Sequence, residues 1–142
     1  MNNDHKKLIR ELKMKATPKR LGILSVLDKE KKYLTPEDVW SKIRRRFSKL
    51  GLPTVYRNLE EMEQKGLISR ISNSDRRLYY YFCDNKNHHH HFVCDSCRRV
   101  EDVSFCMIGR IENEIKRGLR AKIKSHSLQI NGTCEHCLKK EK

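Results

Sequence analysis

The sequence predicts an α+β protein of two small domains, and three of its features carry that prediction. Apolar residues recur at helical spacing through four segments of the first half, then alternate on either side of a short polar turn. Two Cys-x-x-Cys pairs, Cys94 with Cys97 and Cys134 with Cys137, enclose a second stretch in which strand-like and helical patterns mix. The 142 residues suffice for one ordinary domain or two modest ones.

Residues 5–15 form a short basic amphipathic helix with Leu8, Ile9 and Leu12 on one side. Thr17 and Pro18 read as an N-cap followed by proline at the first helical position. The helix they open turns Leu21, Leu24 and Leu27 inward and ends in the charged run 28–32. Thr35-Pro36-Glu37-Asp38 repeats the cap signature ahead of Val39, Trp40, Ile43 and Phe47. After the turn Gly51-Leu52-Pro53, a helix over 53–66 carries Val55, Leu59 and Met62 as its inward stripe until Gly66 stops it. Tyr56, Arg57 and Glu60 face out. Two strands, 67–72 and 78–83, flank the polar turn 73–76.

Helices followed by a hairpin in this order make a winged helix-turn-helix, with 53–66 as the reading helix. An aromatic such as Tyr56 can touch a thymine methyl, and an arginine such as Arg57 can hold phosphate or guanine. Arg76, with Asp75 and Arg77 in the wing turn, lies along a nucleic-acid backbone, giving position without sequence discrimination. Charge agrees: net +14 overall, with 20 basic and 10 acidic residues before position 83, net +10, and 12 and 8 after it, net +4. A solvated basic surface would carry the same excess, so helix order rather than charge decides.

A polar linker at 84–87 separates a DNA-binding domain at 1–83 from a dimerisation and metal-binding domain at 88–142. In the latter, 91–93 and 99–103 read as strands. A helix over 105–119 turns Ile108, Ile111, Ile115 and Leu119 inward, and 121–130 is a last strand. So little apolar surface points to a metal staple and to a homodimer.

Two Cys-x-x-Cys knuckles can converge on one tetrahedral ion, because thiolates two residues apart chelate an edge of the tetrahedron. The expected ion is a structural zinc, one per subunit, held by Cys94, Cys97, Cys134 and Cys137. Redox dithiols and disulfides compete with that reading. No charged-then-apolar secretory leader is seen at the N-terminus, and no apolar run approaches the roughly 20 residues that cross a bilayer. A cytoplasmic protein without membrane association is therefore expected, and there metal ligation outranks disulfides. Cys106, at the start of the amphipathic helix, reads as a small buried apolar residue.

His88-His89-His90-His91 leads into the strand of the first knuckle. In extended chain, alternate residues point to opposite sides, so His88 and His90 seed one metal site while His89 and His91 seed another, with His126 and Asp102 as distant partners. Nitrogen and carboxylate donors suit Fe2+, Mn2+ or Zn2+. A surface histidine cluster with casual metal affinity is the plainer alternative.

The chain resembles the ferric uptake regulator family of iron, zinc and peroxide sensors. The resembling stretches are 16–20 with Ile23-Leu24, Pro53-Thr54-Val55-Tyr56-Arg57-Asn58-Leu59 with Gly66-Leu67, then 88–97, His126-Ser127-Leu128 and the closing Cys-x-x-Cys. The resemblance implies a homodimer that grips a palindromic double-stranded operator, usually to repress. It implies DNA contacts from Thr54, Tyr56 and Arg57, helped by Arg20. It also implies a regulatory hinge site at His89, His91 and Asp102, and a second site at His88, His90 and His126. Where many members place a hinge histidine this chain has Tyr33, and an expected acidic ligand falls at Tyr79. Either that site is incomplete or Cys83 or Asp84 replaces the missing donor. A further acidic ligand falls at Gly109, with Glu112 a turn away as its substitute. Asp102 in place of glutamate resembles the peroxide-sensing branch, in which a ligand histidine is oxidised; here only His89 could take that part.

Three other readings stand beside this one. A zinc-ribbon RNA-binding protein would expose stacking aromatics and prefer single strands. A relative that binds DNA independently of regulatory metal would have lost its switch. A metallohydrolase would need an open metal position beside a general base, and the chain has no His-Glu helical motif, nucleophile elbow or phosphate-cradling glycine loop, so an enzyme is not expected.

Overall fold

The structure is a computed structural model and describes residues 3–142. It divides into two compact units, Met1–Asp84 and Asn85–Lys142.

The first unit runs α1 (Asn3–Glu11), α2 (Pro18–Glu30), α3 (Pro36–Ile43), α4 (Leu52–Gln64), β1 (Ser69–Ile71) and β2 (Tyr79–Tyr81). Local chemistry sets the helix starts. The Thr17 hydroxyl accepts from the Arg20 amide at 3.3 Å, with Pro18 in the first turn. Thr35 and Asp38 form a reciprocal capping box, with bonds of 3.1 and 3.0 Å. Gly66, at φ +77°, takes the left-handed conformation that ends the α4 segment.

Leu21, Leu24 and Leu27 of α2, Val39 and Ile43 of α3 and Val55, Leu59 and Met62 of α4 are buried in one apolar core with Ile9 of α1. Phe47 lies beyond the end of α3, not on it as its spacing predicts. Its ring still packs on that core, against Gly22, where a Cβ would meet it at 2.9 Å. The turn that carries it is closed by the Trp40 indole, which donates to the Leu50 carbonyl at 2.9 Å. The wing strands are shorter than expected and pair antiparallel, Arg70 opposite Tyr80. Leu67, Ile68 and Phe82 lie outside the ladder and pack into the core.

The second unit runs β3 (His90–Cys94), β4 (Val100–Val103), α5 (Ile108–Leu119), β5 (Gln129–Gly132) and α6 (Glu135–Lys140). Its sheet has the order β4-β3-β5, antiparallel between β3 and β4 and parallel between β3 and β5. The register sets His91 opposite Asp102 and Cys94 opposite Gly132.

Three expectations are corrected here. The helix starts at Ile108 rather than 105 and buries none of its residues fully; Ile108 and Ile115 are half-buried while Ile111 is 51% and Leu119 73% exposed, so the apolar stripe is only partly covered within one chain. The last strand covers only Gln129–Gly132. Lys122, Lys124, Ser125 and Ser127 give the stretch before it little apolar side to hold against a sheet, and it is irregular. The closing knuckle opens a short helix, α6, that the spacing did not announce. Among the described residues no helix is long and apolar enough to cross a membrane.

Candidate metal centres and nucleic-acid interface

The two knuckles meet. Cys94 ends β3, Cys97 follows in its turn, Cys134 caps α6 and Cys137 lies one turn inside it. Cys94 Sγ is 3.9 Å from Cys137 Sγ, and Cys97 Sγ is 3.7 Å from Cys134 Sγ. A disulfide needs about 2.05 Å. Zinc–sulfur bonds of about 2.3 Å arranged tetrahedrally give edges of about 3.8 Å. The pairs match the tetrahedron and not the disulfide, and none of the six cysteines is disulfide-bonded.

Backbone geometry prepares the sulfurs. The Cys134 amide donates to Cys94 Sγ at 3.3 Å. Burial raises the Cys94 thiol, but the backbone N–H groups of Cys97, Cys134 and Ser96 outweigh it and hold that thiol down to about 6. Burial, then the neighbouring sulfurs of Cys134, Cys97 and Cys94, pushes Cys137 up to about 12. With Cys94, Cys134 and Cys137 buried and Phe92 packed beside them, the cluster is itself the small core of this unit. Four sulfurs fit a closed structural zinc shell with no position for a substrate.

The histidines divide as the period of two predicts, although His88 and His89 precede β3 and only His90 and His91 lie in it. On one side His89 and His91 bring their Nε2 atoms within 3.0 Å. The Oδ1 of Asp102 lies 3.8 Å from His89 Nε2 and 3.7 Å from His91 Nε2. Outer partners orient two of these groups. His89 Nδ1 is 2.6 Å from the Asn87 carbonyl, which can only accept, so Nδ1 donates in that bond and Nε2 is the nitrogen turned toward His91. Asn85 Nδ2 donates to the other Asp102 oxygen at 2.8 Å. Burial first, then the neighbouring His89, holds His91 below the usual imidazole range, which keeps a lone pair available at neutral pH.

On the other side His88, His90 and His126 gather, with ring centroids 4.7 to 5.3 Å apart. His88 and His126 bring their Nε2 atoms within 3.1 Å. The side chain that joins these three within 4.8 Å is Cys106, and Glu112 is not among them. Because α5 starts three residues later than expected, Cys106 stands in the lead-in loop, and its sulfur lies 3.5 Å from His126 Nε2. It is only half-buried, not the buried apolar residue its place in the sequence suggests. Sequence spacing held no signal for it.

In the first unit, α4 presents an open face lined by Leu52, Pro53, Tyr56, Arg57 and Glu60. Arg57 is exposed. The Tyr56 hydroxyl donates to Glu37 at 2.6 Å, which raises the tyrosine and lowers the carboxylate. Thr54 sits half-buried in the first turn, its carbonyl accepting from Asn58. Arg76 lies exposed in the wing turn. Arg20 is differently engaged: its guanidinium donates to the Lys15 carbonyl, to Asn58 at 3.2 Å and to Glu61 at 2.5 Å, and its side chain is 11% exposed. It ties α2 to α4.

The model of the family described as "Ferric uptake regulator family" matches residues 11–131. The chain belongs to the ferric uptake regulator family. It is 31% identical over 138 residues to the ferric uptake regulation protein of Staphylococcus epidermidis, covering 97% of this chain and 96% of that one. It is 26% identical over 133 residues to the peroxide operon regulator of Bacillus subtilis, covering 94% and 90%. The ferric uptake regulator of Francisella tularensis, solved with iron, superposes with a TM-score of 0.67 at 31% identity over 88% of this chain and 95% of that one. As a ferric uptake regulator relative, the chain is a metal-responsive, DNA-binding transcription regulator and not an enzyme.

Against that family background, the two tyrosines explain themselves. Tyr33 and Tyr79 are buried in the first unit and meet edge to face, with centroids 4.9 Å apart, and the Tyr79 hydroxyl bonds Asp75. These positions serve packing in this relative.

Proposed function

We propose that this regulator binds a palindromic duplex operator as a homodimer and represses, with occupancy of His89, His91 and Asp102 by a divalent metal setting its affinity. The observation that carries the reading is the convergence of those three side chains, already oriented by Asn87 and Asn85. Two nitrogens and a carboxylate suit Fe2+, Mn2+ or Zn2+. Cys83 or Asp84 is the further donor the sequence offers in place of the family ligands at Tyr33 and Tyr79. The four cysteines hold structural Zn2+, which ties the chain's closing knuckle to β3.

Tyr56 and Arg57 read the groove, Thr54 and Arg76 hold the backbone, and Arg20 acts by fixing α4 through Asn58 and Glu61. The exposed apolar stripe of α5, with Leu128 and Ile130, is the surface that pairs the subunits. The cytoplasm is the compartment in which such a thiol-rich regulator meets both DNA and metal. Peroxide control through oxidation at His89 is a finer version of the same reading. It predicts added oxygen on His89 and loss of operator binding after iron and peroxide.

The test compares duplex binding by protein that keeps its cysteine-bound zinc and is otherwise chelated, or loaded with Fe2+, Mn2+ or Zn2+. At least one loaded form should bind the palindrome about tenfold or more tighter than the chelated form, the coupling expected of a two-state regulator. Equal binding in all four samples overturns the metal switch and leaves constitutive DNA binding as the function.

A further inference from the structure

We infer that Cys106 is a metal ligand, and that His88, His90, Cys106 and His126 form a mixed thiolate–imidazole centre that prefers zinc-like ions to manganese. The inference rests on the second site that the family resemblance implies at the three histidines and adds a sulfur to it.

Two independent observations carry it. The first is proximity: one donor atom from each of the four residues lies within 4.8 Å of every other. The closest pairs are 3.1 Å for His88 with His126 and 3.5 Å for Cys106 with His126. A tetrahedron with zinc–nitrogen bonds of about 2.05 Å and a zinc–sulfur bond of about 2.3 Å has edges of about 3.3 and 3.6 Å. The two closest pairs already stand at about these edges, and the remaining pairs, all within 4.8 Å, would close up to them around an ion. The second is an orphan: His90 is 4% exposed and its Nε2 has no hydrogen-bond partner, although its ring packs against His88 and His126. Buried polar atoms in native proteins are nearly always satisfied, and a metal ion among these rings would satisfy this one.

The donors come from three places in the chain. His88 and His90 lie before and at the start of β3, Cys106 in the loop ahead of α5, and His126 in the irregular stretch before β5. An ion there would clasp to the sheet two segments that bury almost nothing themselves. As the metal–sulfur bond forms, the thiol proton leaves to solvent and the three imidazoles bind through neutral nitrogens. A thiolate favours Zn2+ or Co2+ over the harder Mn2+, whereas the centre of His89, His91 and Asp102 has no such bias among its three donors.

The test uses the whole chain with zinc retained at the four-cysteine site and adds Co2+, whose bond to sulfur gives a charge-transfer band in the near ultraviolet. Wild type should gain that band together with the absorption of tetrahedral cobalt. In a Cys83→Ser background, which leaves the other centre without a thiolate, Cys106→Ser should keep bound cobalt but lose the sulfur band, and His126→Ala should weaken both. In parallel, Zn2+ should slow alkylation of Cys106, located by peptide mass spectrometry, by about tenfold or more, because a ligated thiolate is a poor nucleophile. Cobalt taken up by the histidines without a sulfur band, and with unchanged Cys106 alkylation, overturns the sulfur ligand while sparing the histidine site. No cobalt taken up beyond what His88→Ala/His126→Ala protein binds overturns both.

Discussion

In the first unit, helices and wing close over side chains such as Ile23, Leu24, Leu59 and Met62, none of which is exposed. In the second, the buried cluster consists of Cys94, Cys134 and Cys137, and the longest helix buries none of its residues fully. One unit is held by apolar packing, the other by convergence of ligands and by a surface awaiting a partner. The difference teaches where control can enter: a regulator's constant part is the one whose stability needs no ion, and its variable part is the one whose does.

The largest expected effect comes from removing a zinc ligand. Cys97→Ser should release the ion and unfold the second unit, since structural zinc contributes on the order of 10 kcal/mol or more to such modules. Amide exchange should then show loss of protection in β3 to β5 while α2 to α4 keep theirs. Loss of protection in both units together would erase the contrast. Next, Ile111→Asp puts a charge on the exposed stripe of α5, so it should abolish dimers in sedimentation while leaving zinc content and the melting of the first unit unchanged.

Leu59→Ala tests the opposite half. A cavity at a fully buried leucine costs about 2–5 kcal/mol, read as a lower denaturant midpoint for the first unit with zinc still bound. Arg57→Ala should weaken operator binding by about 1–3 kcal/mol without moving the melting temperature, because its side chain is exposed on α4. The smallest effect is Thr35→Ala, which removes the reciprocal cap of α3 for about 1 kcal/mol of stability. A change in zinc content in that variant would contradict independent units.

Much of the fold is legible because its determinants are local. Thr17 with Pro18 and Thr35 with Asp38 announce helix starts since their hydrogen bonds reach only three residues along the chain. The stripe Val55, Leu59 and Met62 shows which face of α4 turns inward. The division of His88 and His90 from His89 and His91 follows the alternation of extended chain, which the sequence shows, although only His90 and His91 lie in β3. The cysteine pairs are legible for the same reason, each knuckle being a complete chelating unit two residues wide.

Determined by the sequence alone, then, are the capped starts of α2 and α3, the inward face of α4, two knuckles and two opposed histidine sets, all consequences of periodicity and short-range geometry. What only the tertiary structure decided are encounters between residues far apart in the chain. Arg20 meets Asn58 and Glu61 instead of facing outward, Tyr33 meets Tyr79 in a packed pair, and Cys106 rather than Glu112 reaches His126. The stripe of α5 likewise reads as inward in sequence and is only partly covered in the chain, because periodicity tells which side of a helix is apolar but not what covers it. Such pairings depend on where whole elements end and pack, and a shift of three residues in a helix start is enough to bring a different side chain beside His126.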